Sequence, residues 1–254
     1  MSSLKLTTLL THSIIGLSLL VALPRLAKAD ESMATYVEVE QEPDSSLSYK
    51  ERRTRHGFTF AVGKEKYFPN DYQSMQDGKY IEEFLGTTPA DLMRVELGYK
   101  LNMDLGSIGL TAAFGMGEMK GSFSGLSRKI SIQKKEVLGY FYADNFFNEP
   151  WVVPYVAAGA HQLSLTEQKQ NADDQSVSPM AFTLRAGLGI QLNALDKRSS
   201  EDAYVEMGLE NTFLDIYLVR NTSSQNTADN VMTEDGDPDT SSAFELGLGL
   251  RLEF

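Results

Sequence analysis

From Ala243 to Phe254 the chain reads A-F-E-L-G-L-G-L-R-L-E-F, a two-residue alternation of large hydrophobes with small or charged residues. Successive side chains of a β-strand point to opposite faces. Phe244, Leu246, Leu248, Leu250, Leu252 and Phe254 therefore share one face, and Ala243, Glu245, Gly247, Gly249, Arg251 and Glu253 share the other. An apolar face backed by a charged one suits a strand with hydrocarbon on one side and a polar lumen on the other. A soluble sandwich strand also alternates, but its apolar face meets a second sheet.

At the other end, Lys5 precedes an apolar run from Ile14 to Leu23, and Ala27-Lys28-Ala29 supplies small residues at signal-peptidase spacing. Residues 1–29 are predicted to be a signal peptide, with the mature protein starting at Asp30. The apolar run falls short of the roughly 20 residues a helix needs to cross a bilayer. The chain contains no cysteine, so a secreted fold must be held by something other than disulfides. With no later apolar helix of spanning length, a mature chain that crosses a membrane must do so as a closed barrel, which pairs every backbone group internally. The formal net charge of −12 argues against nucleic acid as a partner.

The same period recurs upstream. Phe182–Leu192 places Phe182, Leu184, Ala186, Leu188, Ile190 and Leu192 outward, and Met93–Leu101 does the same with Met93, Val95, Leu97, Tyr99 and Leu101. Ile108–Met116 alternates apolar residues with small ones. Four weaker segments follow: Gly57–Lys64 with Phe58, Phe60 and Val62; Val137–Tyr142 with Leu138, Tyr140 and Tyr142; Val152–His161 with Val156, Ala158 and Ala160; and Tyr204–Leu209 with Val205, Met207 and Leu209 outward. Parity breaks from Asn211 to Val219, which predicts a bulge or departure from the membrane. The expectation is an all-β, eight-stranded antiparallel transmembrane barrel over 57–254, preceded by a periplasmic extension over 30–56. Short turns would lie in the periplasm. Longer extracellular loops would span Tyr67–Asp91, Glu118–Lys129, Thr166–Ser178 and Arg220–Ser242, with both termini periplasmic.

The phrases P-Y-V-A-A-G-A (Pro154–Ala160), R-A-G-L-G-I-Q-L (Arg185–Leu192) and the terminal L-G-L-G-L-R-L-E-F resemble the small outer-membrane β-barrels of Gram-negative bacteria, the eight-stranded group that includes the OmpA membrane domain, OmpX and OmpW. The resemblance implies an outer-membrane location. It also implies that Phe244, Leu246, Leu248, Leu250, Leu252 and Phe254 form a signal read by the barrel assembly machinery. Lipid and lipopolysaccharide are the other expected partners, for a monomer without cofactors. The architecture is specified more closely than the activity, because the group includes adhesins, small channels, anchors and a few lipid enzymes.

Eight strands leave an interior that side chains fill or that holds one small ligand. Arg94, Glu96, Lys100, Arg185, Glu206, Glu245, Arg251 and Glu253 are predicted to face it, and buried charges must be paired. They form either an internal salt-bridge network or the lining of a narrow polar path. Inward glycines, among them Gly187, Gly208 and Gly247, leave room for Tyr155 and the arginines. For catalysis, His161 near the rim has Gln162 and Ser164 beside it, but Ser164 faces the opposite way in an ideal strand, and the motifs of the lipid A deacylase and palmitoyltransferase barrels are not found around it. Glu234–Asp239 concentrates carboxylates but lacks the twelfth-position Glu of a calcium loop; a solvated loop is expected, with no metal. Phe146, Phe147 and Trp151 suit a membrane-interface girdle. The functional expectation is a non-enzymatic outer-membrane barrel, closed or narrowly conducting, that serves envelope integrity or surface interaction. The alternatives are a channel for small ionic or hydrophobic solutes similar to the OmpW branch, and a lipid-modifying enzyme.

Overall fold

A computed structural model of the chain describes residues 48–70, 72–74, 78–123, 126–169, 172–223 and 240–254. The predicted signal peptide, most of the extension and the acidic loop at 234–239 lie outside the described residues. Among the described residues nine strands follow one another: β1 (His56–Tyr67), β2 (Ala90–Met103), β3 (Gly106–Phe123), β4 (Leu126–Tyr142), β5 (Val152–Lys169), β6 (Ala172–Val177), β7 (Ala181–Gln191), β8 (Asn211–Asn221) and β9 (Glu245–Glu253). Among the described residues three helices accompany them, α1 (Tyr49–Arg52), α2 (Ile81–Leu85) and α3 (Lys197–Met207).

All pairings are antiparallel, and β1–β9 together with β4–β5 close the sheet on itself. The barrel has eight positions because β6 and β7 share one: β6 pairs with the far half of β5, and β7 with the near half. Across the break Ser178 keeps the ladder satisfied. Its N–H donates to the Leu163 carbonyl at 2.8 Å, and its Oγ accepts from the Leu163 N–H at 3.0 Å. Stepping from Lys64 through Met93, Met116 and Gln133 reaches Ser164, whereas stepping through Leu248, Ile216 and Leu188 reaches Pro154 on that same strand. Closure thus carries a ten-residue stagger between positions 154 and 164, in keeping with strands tilted by roughly 35–45°.

Call the end bearing Phe254 and the β2–β3 turn the lower end. On the outer wall, Leu97, Leu110, Val156, Phe182, Leu246 and Leu248 belong to a broad exposed apolar band. The inner wall carries the buried charges, most of the barrel's tyrosines and most of its glycines.

Four sequence expectations change. Tyr204–Leu209 is not a strand: α3 occupies Lys197–Met207, started by the Asp196 side chain accepting from Ser199 N at 3.1 Å and ended by Gly208 in the left-handed conformation at φ +67°. Local capping, with no sheet partner to compete, decides for the helix. The missing strand is β8, whose parity is unbroken, with Phe213, Asp215, Tyr217 and Val219 all facing in. In β4 the set Leu138, Tyr140 and Tyr142 faces the lumen and Val137 and Phe141 face out. Finally, 118–129 and 166–178 are largely strand, so β3, β4, β5 and β6 project as hairpins rather than loops.

Candidate functional site

The interior is arranged in three tiers. At the lower mouth, α1 tucks Tyr49 inside, where it is 1 % exposed. Its backbone N–H donates to Glu149 at 2.6 Å and its phenolic oxygen donates to Asp144 at 3.0 Å. Lys100 lies 2.9 Å from Asp144 and 3.0 Å from Glu253, and it also donates to the Tyr49 oxygen at 3.2 Å. Arg53 reaches Asp144 at 3.0 Å. Burial alone would raise the Asp144 carboxyl, but Lys100, Ser107 and Arg53 together hold it below the ordinary aspartate value. Arg251 pairs with Asp215 at 2.8 Å and with Glu253, while its guanidinium lies over the rings of Phe213 and Tyr142 at 4.4 and 4.7 Å.

The middle tier balances three cations against three carboxylates. Lys134 bridges Glu65 and Glu136 at 2.7 and 2.8 Å. Arg94 pairs with Glu96 and donates to Glu136 at 3.0 Å. Arg185 pairs with Glu65 at 2.8 Å and donates to the Tyr140 oxygen at 2.6 Å, and Tyr140 in turn donates to Glu96 at 3.1 Å. Tyrosines fill the space between charges because a large apolar body carries a polar tip. Tyr140 and Tyr142 stack at 5.3 Å, and Arg185 lies 4.3 Å over the Tyr217 ring. Gly187 makes this possible, since a Cβ there would sit 2.7 Å from both Tyr155 and Tyr217. The cavity left among Arg94, Glu96, Tyr140, Tyr155, Arg185 and Tyr217 measures about 20 Å³, room for a single water.

Above lies an apolar tier in which Tyr67, Tyr72, Leu92, Met119, Ile132 and Leu163 pack with Ile81 and Phe84 of α2. The segment between β1 and β2 therefore folds into the upper mouth. Arg128 and Glu167, 3.5 Å apart, sit beside this tier, with Ser74 donating to Glu167 at 2.7 Å.

Of the predicted lumen charges, Arg94, Glu96 and Arg185 meet in the middle tier and Lys100, Arg251 and Glu253 in the lower one. Glu245 begins β9 at the upper end, half-buried. Glu206 does not face the lumen, because it lies exposed on α3. Gly208 likewise is the cap of that helix and not an inward residue. Sequence reasoning missed Glu65, Lys134, Glu136, Asp215, Asp144 and Tyr49. Glu65 lies just beyond the end drawn for its strand, on the inward parity, and extending that strand would have found it; the Lys134–Glu136 pair shares the parity of Leu138, Tyr140 and Tyr142, and was hidden with that set.

His161 is fully buried, facing the lumen and not the rim, with Nδ1 2.9 Å from the Thr183 hydroxyl. Ser164 lies on the opposite face of β5, so the two form no nucleophile and base pair. Among the described residues, no group of three or more His, Cys, Asp or Glu side chains is placed to hold a metal ion.

No family model and no curated protein matches the chain. Solved structures similar to it include the outer-membrane protein OprG of Pseudomonas aeruginosa, at 14 % identity over 80 % of this chain and 97 % of that one, TM-score 0.45. The N-terminal β-barrel domain of OprF from the same organism is 16 % identical over 79 % and 98 %, TM-score 0.39. The attachment invasion locus protein Ail of Yersinia pestis, solved with the heparin analogue sucrose octasulfate, is 11 % identical over 79 % and 100 %, TM-score 0.42. Likeness at this level decides nothing about function, which has to be argued from the barrel's own walls and interior.

Proposed function

We propose that this protein is a non-enzymatic outer-membrane barrel with a sealed interior, which serves envelope integrity and presents its projecting hairpins at the cell surface. An exposed apolar band around a closed antiparallel barrel matches hydrocarbon on the outside. The observation that carries the sealed reading is the sequence of closures along the axis: Tyr49 at one mouth, paired charges and tyrosines in the middle, and the apolar tier with Ile81 and Phe84 at the other. The end with the short β2–β3 turn, α1 and Phe254 is periplasmic in this reading, and the long β3–β4 hairpin is extracellular. The alternating Phe244–Phe254 face is the feature available to the assembly machinery.

Conduction would require both mouths to open and the middle tier to part, so the OmpW-like channel reading has no supporting geometry. Folded protein in a planar bilayer should give no steady ion conductance, while heat-modifiable migration on gels reports insertion. Sustained single-channel steps from inserted wild-type protein would overturn the sealed reading.

A further inference from the structure

Three polar groups are left over once the ion pairs of the interior are counted. Glu96 is buried and meets Arg94, Tyr140 and Arg185 through the same oxygen, Oε2; among the described residues its Oε1 accepts no hydrogen bond. The Tyr142 hydroxyl is buried without a partner. Among the described residues the hydroxyl of Tyr155, also buried, makes no hydrogen bond either. Buried polar groups are nearly always hydrogen-bonded, and an ionised carboxylate can only accept. All three residues line the interior cavity of about 20 Å³.

The sequence accounts for that space. Gly63 pairs with Gly249 where β1 meets β9, and Ala61 is the next inward residue of β1. Four positions around the barrel from β1 stands β5 with Tyr155, and beside it β4 with Tyr140 and Tyr142. Large rings on one wall therefore face a wall of Ala and Gly. A Cβ at Gly63 would collide with the Leu248 carbonyl oxygen, so that wall cannot grow to fill the gap. Nor are the rings free to close it, because Tyr142 is stacked on Tyr140 at 5.3 Å and lies 5.6 Å from Tyr155.

Charge decides what the cavity takes. Its lining sets Arg94 and Arg185 against Glu96 and Asp215, and the signs cancel. A halide there would face the unused Glu96 oxygen, and a metal cation would face two guanidinium groups. The fitting occupant is neutral, donates to a carboxylate and accepts from hydroxyls, in a volume that suits one water.

We infer that the interior binds a single water molecule, which donates to Glu96 Oε1 and accepts from the hydroxyls of Tyr142 and Tyr155. Three partners are usual for a buried water. Because the Arg251 guanidinium lies 4.7 Å over the Tyr142 ring, the water links the lower tier to the middle one. The inference rests on the sealed reading above, since a lumen open to solvent would hold a file of waters.

A crystal structure of the full folded chain, grown from bromide-containing solution and resolved well enough to show ordered waters, tests the site. Wild type should show one isolated density peak within hydrogen-bond distance of Glu96 Oε1 and both hydroxyls, with no anomalous bromide signal. Ala61→Val, which grows into the cavity, should lose the peak, while Tyr155→Phe should keep it on Glu96 and Tyr142. A bromide signal at the site would overturn the inference in favour of an anion. So would tyrosine hydroxyls that bond Glu96 directly and leave no density, or a peak unchanged in Ala61→Val. The two readings fail separately: an absent peak inside a closed interior sinks only the water site, whereas a row of waters reaching both mouths sinks the seal.

Discussion

The phenolic oxygen of Tyr49 donates to a carboxylate oxygen of Asp144 at 3.0 Å, joining a one-turn helix ahead of the barrel to the end of its fourth strand. That contact makes the segment before β1 part of the barrel interior. Tyr49→Ala should therefore destabilise the folded state by about 3 kcal/mol, through lost packing against Phe213 and an opened mouth. Tyr49→Phe keeps the ring and loses only the hydroxyl contacts, at about 1 kcal/mol. Urea unfolding in lipid, followed by the fluorescence of the single tryptophan Trp151, measures both.

Asp144 also predicts a pH dependence. Its folded-state value is depressed, so the native state favours the ionised form more than the unfolded chain does. The stabilisation is present above the unfolded value, roughly 3.9, and is lost as pH falls through the lower folded value. Wild type should weaken on acidification below about pH 4, and Asp144→Asn should be less stable at neutral pH with a flatter acid limb. Unfolding midpoints between neutral and strongly acidic pH check this; parallel curves for the two proteins would contradict it.

The middle tier invites a double-mutant cycle. Glu136 contacts Lys134, Arg94 and Arg185, so Glu136→Gln leaves three cations facing two carboxylates and should cost about 3–5 kcal/mol. Adding Lys134→Met removes the excess charge. The double variant should be less destabilised than the sum of the singles by at least about 1 kcal/mol, and simple additivity would show that the two do not act as a pair.

How much of this was legible in the sequence follows from which face carried the information. Where outward hydrophobes alternate with charges or glycine, as in β7 and β9, parity alone placed every residue. It failed where both faces are apolar. In β8 the inward Phe213, Tyr217 and Val219 look no different from outward Leu214, Ile216 and Leu218, because tyrosines and aliphatics fill the lumen as well as they face lipid. The same ambiguity reversed Leu138, Tyr140 and Tyr142. Polar stretches such as Glu118–Lys129 look like loops, yet beyond the apolar band a strand has water outside, so polar outward residues are what a projecting hairpin requires. The charge network was half visible. Lys134, Glu136 and Asp215 were hidden by strand ends and parity, and Tyr49 by its distance in sequence from Lys100, Asp144, Glu149 and Phe213.

The outward face of β9 gives a depth-dependent prediction. Leu248 is 49 % exposed on the apolar wall between Lys64 and Ile216. Leu248→Arg should cost about 2–4 kcal/mol in a bilayer, while the lumen substitution Gln191→Asn should cost well under that. Unfolding in lipid vesicles compares them directly, and equal penalties would contradict the face assignment.

Glycine substitutions separate the two walls most cleanly. A Cβ at Gly247 would collide with the Tyr217 ring, which is buried, accepts the Arg185 guanidinium on its face and donates to Glu65 at 3.4 Å. Tyr217 cannot swing aside without disturbing the middle tier, so Gly247→Ala should cost about 1–3 kcal/mol by overpacking. Gly139 occupies a strand of the same sheet but faces outward, and its added Cβ meets only ordinary contact. Gly139→Ala should be neutral within about 0.5 kcal/mol. If both substitutions proved neutral, Tyr217 would have to pack elsewhere than against Gly247; if both were costly, backbone conformation rather than interior space would explain the glycines of these strands.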